Sequence, residues 1–523
     1  MYLLPVCFIL RPIEDQGLIP LGADLLTRGG CLYRDMFTVV WPGSYFWLAL
    51  FFKLFGATWI TGRTVLLLTL IGLMAALLLL GRRLIRGPLS ILPAVLFTVV
   101  ATPPAACNFY HWDSLLFFLS SVILQCLTLA GMPGTFWLSF SAGLAAGMST
   151  LCYQAGGPAN LAGLLVSGCL LARQAASWRA RFACLLPLLG GFAMVMAAFV
   201  SYCLATGTWQ DMLNCTLFFL VDKHYSSVNA VPYAAADAYQ RLFSALPVAP
   251  GTEAIALSKL VIGYMYWFPL EIVRFAPLVV AALIVVYFVR GGSIRQALDH
   301  HGELILVLIT GSLYWVSELH RPDINRLLWG EPLLIIVTFQ ALELAHTRIP
   351  SLRLAVKLLV SFLVASLAMH TALNLAYYAQ PSMTIETRRG TVLSLDALSV
   401  IPILERLTTP YEKVLVYPYD TGVYFLSGTW FPASQPLLQY HFNSSAQMRR
   451  VLADMEASKV RYVIWDLSRG DQSFADHGFA YEPVGKEQLI IEPYVQENYR
   501  MVKAYGRYRL MERKTPFQES RMD

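Results

Sequence analysis

Between Arg11 and Gly56 the chain sets Glu14, Asp15, Asp24 and Asp35 beside Arg11, Arg28 and Arg34. Two smaller constellations follow: His111 with Asp113 in NFYHWD (108–113), and His320, Arg321, Asp323 and Arg326 in HRPDINR (320–326). A carboxylate can take the proton of an attacking hydroxyl. Guanidinium and imidazole groups can hold a phosphate as it departs. The three stretches thus carry the parts for moving a group from a phosphate to a hydroxyl. So charged a first segment would be wasted as a connector, and it is read as a reaction loop. Divalent-metal binding is open wherever carboxylates meet histidine, although no spacing marks a dedicated site.

A membrane must position these residues. The 523 residues are 57% hydrophobic and 14% charged, with a mean hydropathy of +0.55, whereas a soluble domain carries about 25% charge. Ser114 to Ala172 holds no Asp, Glu, Lys or Arg, and neither do Gly87 to Trp112, Phe182 to Gln210 and Leu358 to Ile385. Such runs accommodate spanning helices of about 20 residues, so the fold class is a polytopic α-helical membrane protein. Tyr2 to Leu10 is apolar but too short to span, lacks a basic start and cleavage site, and suggests a late start to the first helix. The nine cysteines form no CxxC, and those in apolar runs serve as small hydrophobes.

Pro42 to Phe55, only fourteen residues with Lys53 inside, suits a helix lying in the interface. With that assignment every basic cluster (Arg82/Arg83/Arg86, Arg173/Arg179/Arg181, Arg290/Arg295 and Arg348/Arg353/Lys357) falls on one side, as the positive-inside rule requires. The expected spans are 64–81, 88–106, 114–130, 135–152, 160–172, 182–205, 275–289, 304–319, 327–345 and 358–377, with 260–270 at the interface. With the incomplete first helix the total is about eleven. A first external loop (11–62) and a long external loop (206–257) share the opposite face with all three polar constellations. The transmembrane domain is 1–380, and 381–523 is a C-terminal extracytoplasmic α/β domain. In the latter, 386–390, 412–420, 423–428 and 459–467 read as strands or turns, while AQMRRVLADMEASK has the 3.6-residue spacing of a helix.

The order of motifs resembles the GT-C superfamily of membrane glycosyltransferases, specifically the bacterial protein-mannosyltransferase-like and aminoarabinose-transferase-like enzymes. Asp15-x-Gly17, GADLLTRGG (22–30), Tyr33-Arg34-Asp35, Pro42-Gly43 and Leu54-Phe55-Gly56 stand in the family's order, followed by Arg63 and GRRL (81–84). HWDSLLFFL resembles its second acidic site, and ETRRG with PYDTGVYFLSG its periplasmic tail. The resemblance implies transfer of a sugar, with inversion, from a polyprenyl-phosphate donor to lipid A, lipopolysaccharide, another glycan or a protein at the outer face of the inner membrane. It implies Asp15 as catalytic base and Asp113 as a second catalytic carboxylate. Glu14, Arg34, Asp35, His111, His320, Arg321 and Arg326 would bind substrate, and Tyr225, with Asn229 nearby, would line the sugar pocket. Where many members have a lysine before the proline, this chain has Trp41, so Arg63, Lys53 or the HRPDINR cluster would hold the phosphate instead.

Simpler roles compete: Asp113 as a helix cap, Asp35 as a partner for Arg34, and Arg321 and Arg326 as snorkelling cations. No Walker-type or GxGxxG pattern calls for a nucleotide, and no nucleic-acid partner is expected. The rival functions are a transporter, which would carry ionisable residues within its spans, a non-catalytic envelope-assembly protein, and a ligase using a diphosphate-linked glycan.

Overall fold

The computed structural model describes residues 1–10, 17–173, 177–219, 232–236, 254–290, 301–395, 400–418, 420–438, 443–467 and 490–514, with a few single positions between. The chain opens with α1 (Leu3–Phe8) and the two-residue strand β1 (Ile9–Leu10). Two short helices, α2 (Leu18–Thr27) and α3 (Gly43–Phe55), build the first loop. The long apolar helices follow: α4 (Trp59–Leu84), α5 (Leu92–Ala101), α6 (Tyr110–Leu129), α7 (Thr135–Cys152), α8 (Gly157–Arg173) and α9 (Trp178–Ala205). After α10 (Trp209–Leu213) come α11 (Ala254–Val289), α12 (Gly302–Glu318), α13 (Ile324–Gly330), α14 (Pro332–Arg348) and α15 (Arg353–Tyr378).

Among the described residues six helices are long and apolar enough to cross a membrane, and a seventh span results if α13 and α14, bent by 76° at Glu331 and Pro332, are one. Helices stand where spans were expected over 135–152 and 304–319, but they are shorter than those six, at 18 and 17 residues. The span expected over 88–106 is a shorter helix, Pro88–Ala101. Pro103 and Pro104 follow it in a 3₁₀ turn, having no N–H to continue the ladder. The expected interfacial segment 260–270 is instead continuous with the following span in the 36-residue α11, which runs through Pro269 and Pro277.

The C-terminal region folds as small sheets with helices. Strands β2 (Met383–Thr387) and β3 (Gly390–Ser394) form a hairpin, and β1 pairs parallel with β3 through Ile9↔Leu393 and Leu10↔Ser394. Next come α16 (Val400–Leu407), β4 (Leu415–Tyr417), α17 (Thr421–Ser427), α18 (Ser445–Ala457), β5 (Tyr462–Asp466), α19 (Ile491–Asn498), β6 (Tyr499–Tyr505) and β7 (Tyr508–Arg513). The second sheet has the order β4-β5-β7-β6, with β4 and β5 parallel. The predicted helix is α18, which buries Met448, Val451 and Met455 and starts on a Ser444–Gln447 capping box. VYFLSG is not the expected strand but the helix α17, stopped by Gly428 at φ 62°. Its apolar run reflects burial rather than extended backbone, since Val423 to Ser427 are all buried.

The first loop and the C-terminal region share one core. Ile19, Leu25, Tyr45 and Phe52 cluster with Phe199 and Cys203 of α9 and with Val392, Ile401, Val416 and Phe425. Phe52 and Phe425 stack at 5.9 Å. Two motif glycines mark close approaches. A Cβ on Gly17 would lie 2.0 Å from the Thr421 carbonyl oxygen, and one on Gly43 would lie 2.6 Å from the Leu151 carbonyl carbon and the Cys152 nitrogen. The Pro42-Gly43 step therefore seats α3 against the end of α7.

One charged clamp crosses this interface. Asp24, 2% exposed, takes Arg389 Nη2 at 2.8 Å and Arg28 Nε at 3.3 Å. Arg389 also donates to the carbonyls of Ala57 (3.0 Å) and Phe425 (3.2 Å), while Arg28 lies over the rings of Tyr411 and Trp430. Removing one partner of a buried pair strands the other. Arg389→Ala is thus expected to destabilise the fold by about 3 kcal/mol, read as a lowered thermal-unfolding midpoint of the detergent-solubilised protein, with Arg389→Lys recovering only part of the loss.

Candidate active site

The helix ends bring distant residues together. The α12 C-terminus carries Glu318, and the short α13 carries Arg326 and Trp329. Asp323 caps α13, accepting from the amides of Asn325 (3.1 Å) and Arg326 (3.2 Å), and it also faces Arg321 at 3.5 Å. The first turn of α6 contributes His111, and Tyr153 follows α7.

Arg326 lies at the centre. Its Nη1 is 3.0 Å from His111 Nε2, 3.4 Å from His320 Nε2 and 3.8 Å from Glu318 Oε2. His111 Nδ1 is 3.2 Å from Glu318 Oε1, with both side chains fully buried. Tyr153 donates its hydroxyl to Glu318 Oε2 at 3.4 Å, and Trp329 stacks on His111 at 4.3 Å. Guanidinium only donates, so both imidazole Nε2 atoms must accept. Each ring then carries its proton on Nδ1: in His111 beside Glu318, in His320 towards the Ser317 carbonyl at 2.9 Å. No described partner bonds Nε or Nη2 of Arg326, whose side chain stays 14% exposed. Half of its fork is held and half is offered.

Of the sequence candidates, His111, His320 and Arg326 therefore converge, while Arg321 stands against Asp323 at the start of α13. Glu318, missing from that set, is the buried carboxylate that joins them. Its signal was an ionisable residue at the end of an apolar span. Asp113, two residues after His111 on α6, turns elsewhere, with Thr69 Oγ1 3.5 Å from its Oδ1. It is no N-cap, because α6 begins at Tyr110 and Phe109 takes the cap position. Arg63 is buried, donates to the Ala106 carbonyl at 2.6 Å and lies 3.9 Å over the Trp59 ring. Arg34 and Asp35 pair with each other at 3.1 Å, and Asp35 also accepts from the Cys31 amide at 2.7 Å. Trp41 packs on Phe199 of α9 at 5.0 Å, its amide donating to Gln154 at 3.2 Å. Glu14, Asp15, Tyr225 and Asn229 lie outside the described residues. Among the described residues no three His, Cys, Asp or Glu side chains gather as metal ligands.

Solved structures share this arrangement of helices. Over 98% of this chain and 95% of the other, it superposes on ArnT from Cupriavidus metallidurans in the apo state with TM-score 0.53 and 12% identity. The same enzyme bound to undecaprenyl phosphate gives 0.50 over the same shares, also at 12% identity. The archaeal oligosaccharyltransferase AglB from Archaeoglobus fulgidus, in complex with an inhibitory peptide and a dolichol-phosphate, gives 0.51 at 12% identity over 97% of this chain and 71% of that one. The chain has the GT-C fold. No protein-family model and no curated protein sequence matches it. Identities this low carry the fold alone.

Within this GT-C fold the Tyr33-Arg34-Asp35 motif has a local role. Tyr33 takes a left-handed φ of 72° and its hydroxyl reaches the Val40 carbonyl at 3.3 Å. Burial raises the Asp35 carboxyl, but Arg34 and the Cys31 amide outweigh it and hold it below its usual value. A carboxylate with a depressed folded value stabilises above its unfolded pKa, about 4, and the benefit fades as pH falls through the lower folded value. Asp35→Asn should therefore cost at most about 1 kcal/mol near neutrality, given solvent screening. The difference in unfolding midpoint from the parent protein should shrink below about pH 4 and vanish in stronger acid.

Proposed function

We propose that this chain is an integral membrane glycosyltransferase that moves a sugar from a polyprenyl-phosphate donor to an envelope acceptor at the outer face of the inner membrane. The observation that carries it is Arg326, fixed at one nitrogen by two imidazoles and a carboxylate while Nε and Nη2 remain available. A planar fork so presented suits two oxygens of a phosphate. ArnT bound to undecaprenyl phosphate and AglB with a dolichol-phosphate support a long-chain lipid phosphate as the ligand class.

The acceptor is a hydroxyl of lipid A, lipopolysaccharide, another glycan or a protein. Asp15 serves as the base, two residues before Gly17, whose backbone is pressed against Thr421. The acceptor oxygen attacks the anomeric carbon with inversion, its proton passes to Asp15, and the carbon–oxygen bond to the lipid phosphate breaks. Arg326 holds the phosphate as it takes the electron pair, with Arg321 alongside and His320 fixing the guanidinium. Asp113 is the second carboxylate candidate, and Glu14, Arg34, Asp35, Arg63 and Tyr225 complete the proposed substrate contacts. The transmembrane unit 1–380 carries the chemistry, and 381–523 lies outside the cytoplasm.

The test uses protein in lipid nanodiscs with polyprenyl-phosphate sugars and a host envelope extract, scoring free polyprenyl phosphate. Asp15→Asn should lower the rate by about a hundredfold or more, the scale of a lost general base. Arg326→Lys, which loses the fork but keeps the charge, should weaken donor use by about tenfold or more. Undiminished release from Asp15→Asn would remove Asp15 from the mechanism, and absence of release from the parent protein with every sugar would return the diphosphate-ligase, transporter and assembly functions to the front.

A further inference from the structure

Glu318 does more than fill a place beside Arg326. It is completely buried and faces three groups from three elements: Arg326 of α13, His111 of α6 and the Tyr153 hydroxyl after α7. His320 reaches the same guanidinium nitrogen, and with both rings protonated on Nδ1 neither brings a charge. Before any ligand enters, Glu318 thus stands against Arg326, with the Asp323–Arg321 pair beside them.

The charge of the ligand changes during the proposed transfer. The donor is a phosphodiester with a single negative charge. When its carbon–oxygen bond breaks, the electron pair stays on the phosphate, leaving a monoester of about −1.5 to −2 charge near neutrality. A buried arginine alone would hold this product more tightly than the substrate and delay its departure. A fixed negative charge behind the arginine opposes that gain.

Resting on the glycosyltransferase assignment above, we infer that Glu318 is a positioning residue and counter-charge: through Arg326 it limits the grip on the polyprenyl-phosphate product and so sets its release. Glu318→Gln keeps the shape and removes the charge. Removing a unit charge within a few ångströms of a partly buried anion site changes affinity by roughly tenfold or more.

The experiment measures binding of polyprenyl phosphate to the parent protein, Glu318→Gln, Glu318→Asp and Arg326→Ala in nanodiscs, together with kcat and KM. The expected result is roughly tenfold tighter product binding by Glu318→Gln with kcat and KM both reduced, near-parental values for Glu318→Asp, and weakened binding by Arg326→Ala. Loss of packing alone does not tighten a ligand. Unchanged or weaker binding by Glu318→Gln, with Arg326→Ala still impaired, would overturn the counter-charge and leave the phosphate site standing. Parental binding by Arg326→Ala would overturn the phosphate site itself. Should Glu318→Gln not fold, the parent protein still decides by its relative affinity for polyprenyl phosphate and its singly charged methyl diester. A preference for the monoester within about tenfold is expected, and one beyond about a hundredfold overturns the inference.

Discussion

A charge withdrawn from water must find its opposite, or the segment bearing it cannot stay buried. The Asp24–Arg389 pair meets this requirement across 365 positions of sequence. Asp24 lies on a helix apolar enough to be engulfed on nearly every face, with Ile19, Pro20, Leu21, Ala23 and Leu25 all buried. Arg389 sits in the β2–β3 turn and spends its remaining donors on two backbone carbonyls and the Tyr411 hydroxyl. The pair is a weak source of net stability but a strong specifier of register, because either charge is costly in any other placement. With it set, α2 lies against α17, α3 against the end of α7, and the first loop becomes part of a packed core.

The second polar centre follows the same rule inside the helical unit. Glu318, Arg326, His111 and Tyr153 occupy helix ends rather than helix middles. There the backbone can turn, and the side chains converge without breaking a hydrogen-bond ladder within apolar surroundings. The two centres use carboxylates differently. Asp24 is clasped by two arginines and leaves nothing for a ligand. Glu318 takes one nitrogen of a single arginine and leaves the rest of its fork open.

Much of this was readable from residues alone. Charge-free runs gave the helical membrane class, α18 followed from the spacing of Met448, Val451 and Met455, and motif order pointed to the GT-C fold that the solved structures share. The failures have physical causes. VYFLSG carries the β-branched and aromatic residues of a strand, yet a segment buried on all sides is apolar whether extended or helical. The 88–106 run is apolar enough to span, but its prolines set where the helix stops. The segment 260–270, expected at the interface, continues into the next span through Pro269 and Pro277 in α11. Glu318, two residues before the HRPDINR cluster, closes an apolar helix in which nothing local marks its partners. The meeting of His111 with Arg326, 215 positions apart, is written in no local pattern.

The two-residue strand β1 has a consequence for how the molecule is made. Ile9 and Leu10 find their strand partners at Leu393 and Ser394. During synthesis the helices between them emerge and insert first, while the opening segment waits without its hydrogen-bond partners. Closure of so long a loop is entropically modest once the helices have packed, since its cost grows only logarithmically with length. Its timing is nevertheless fixed. The Ile9–Leu10 segment is among the last to be completed in space, since its pairing waits until β3 has been delivered.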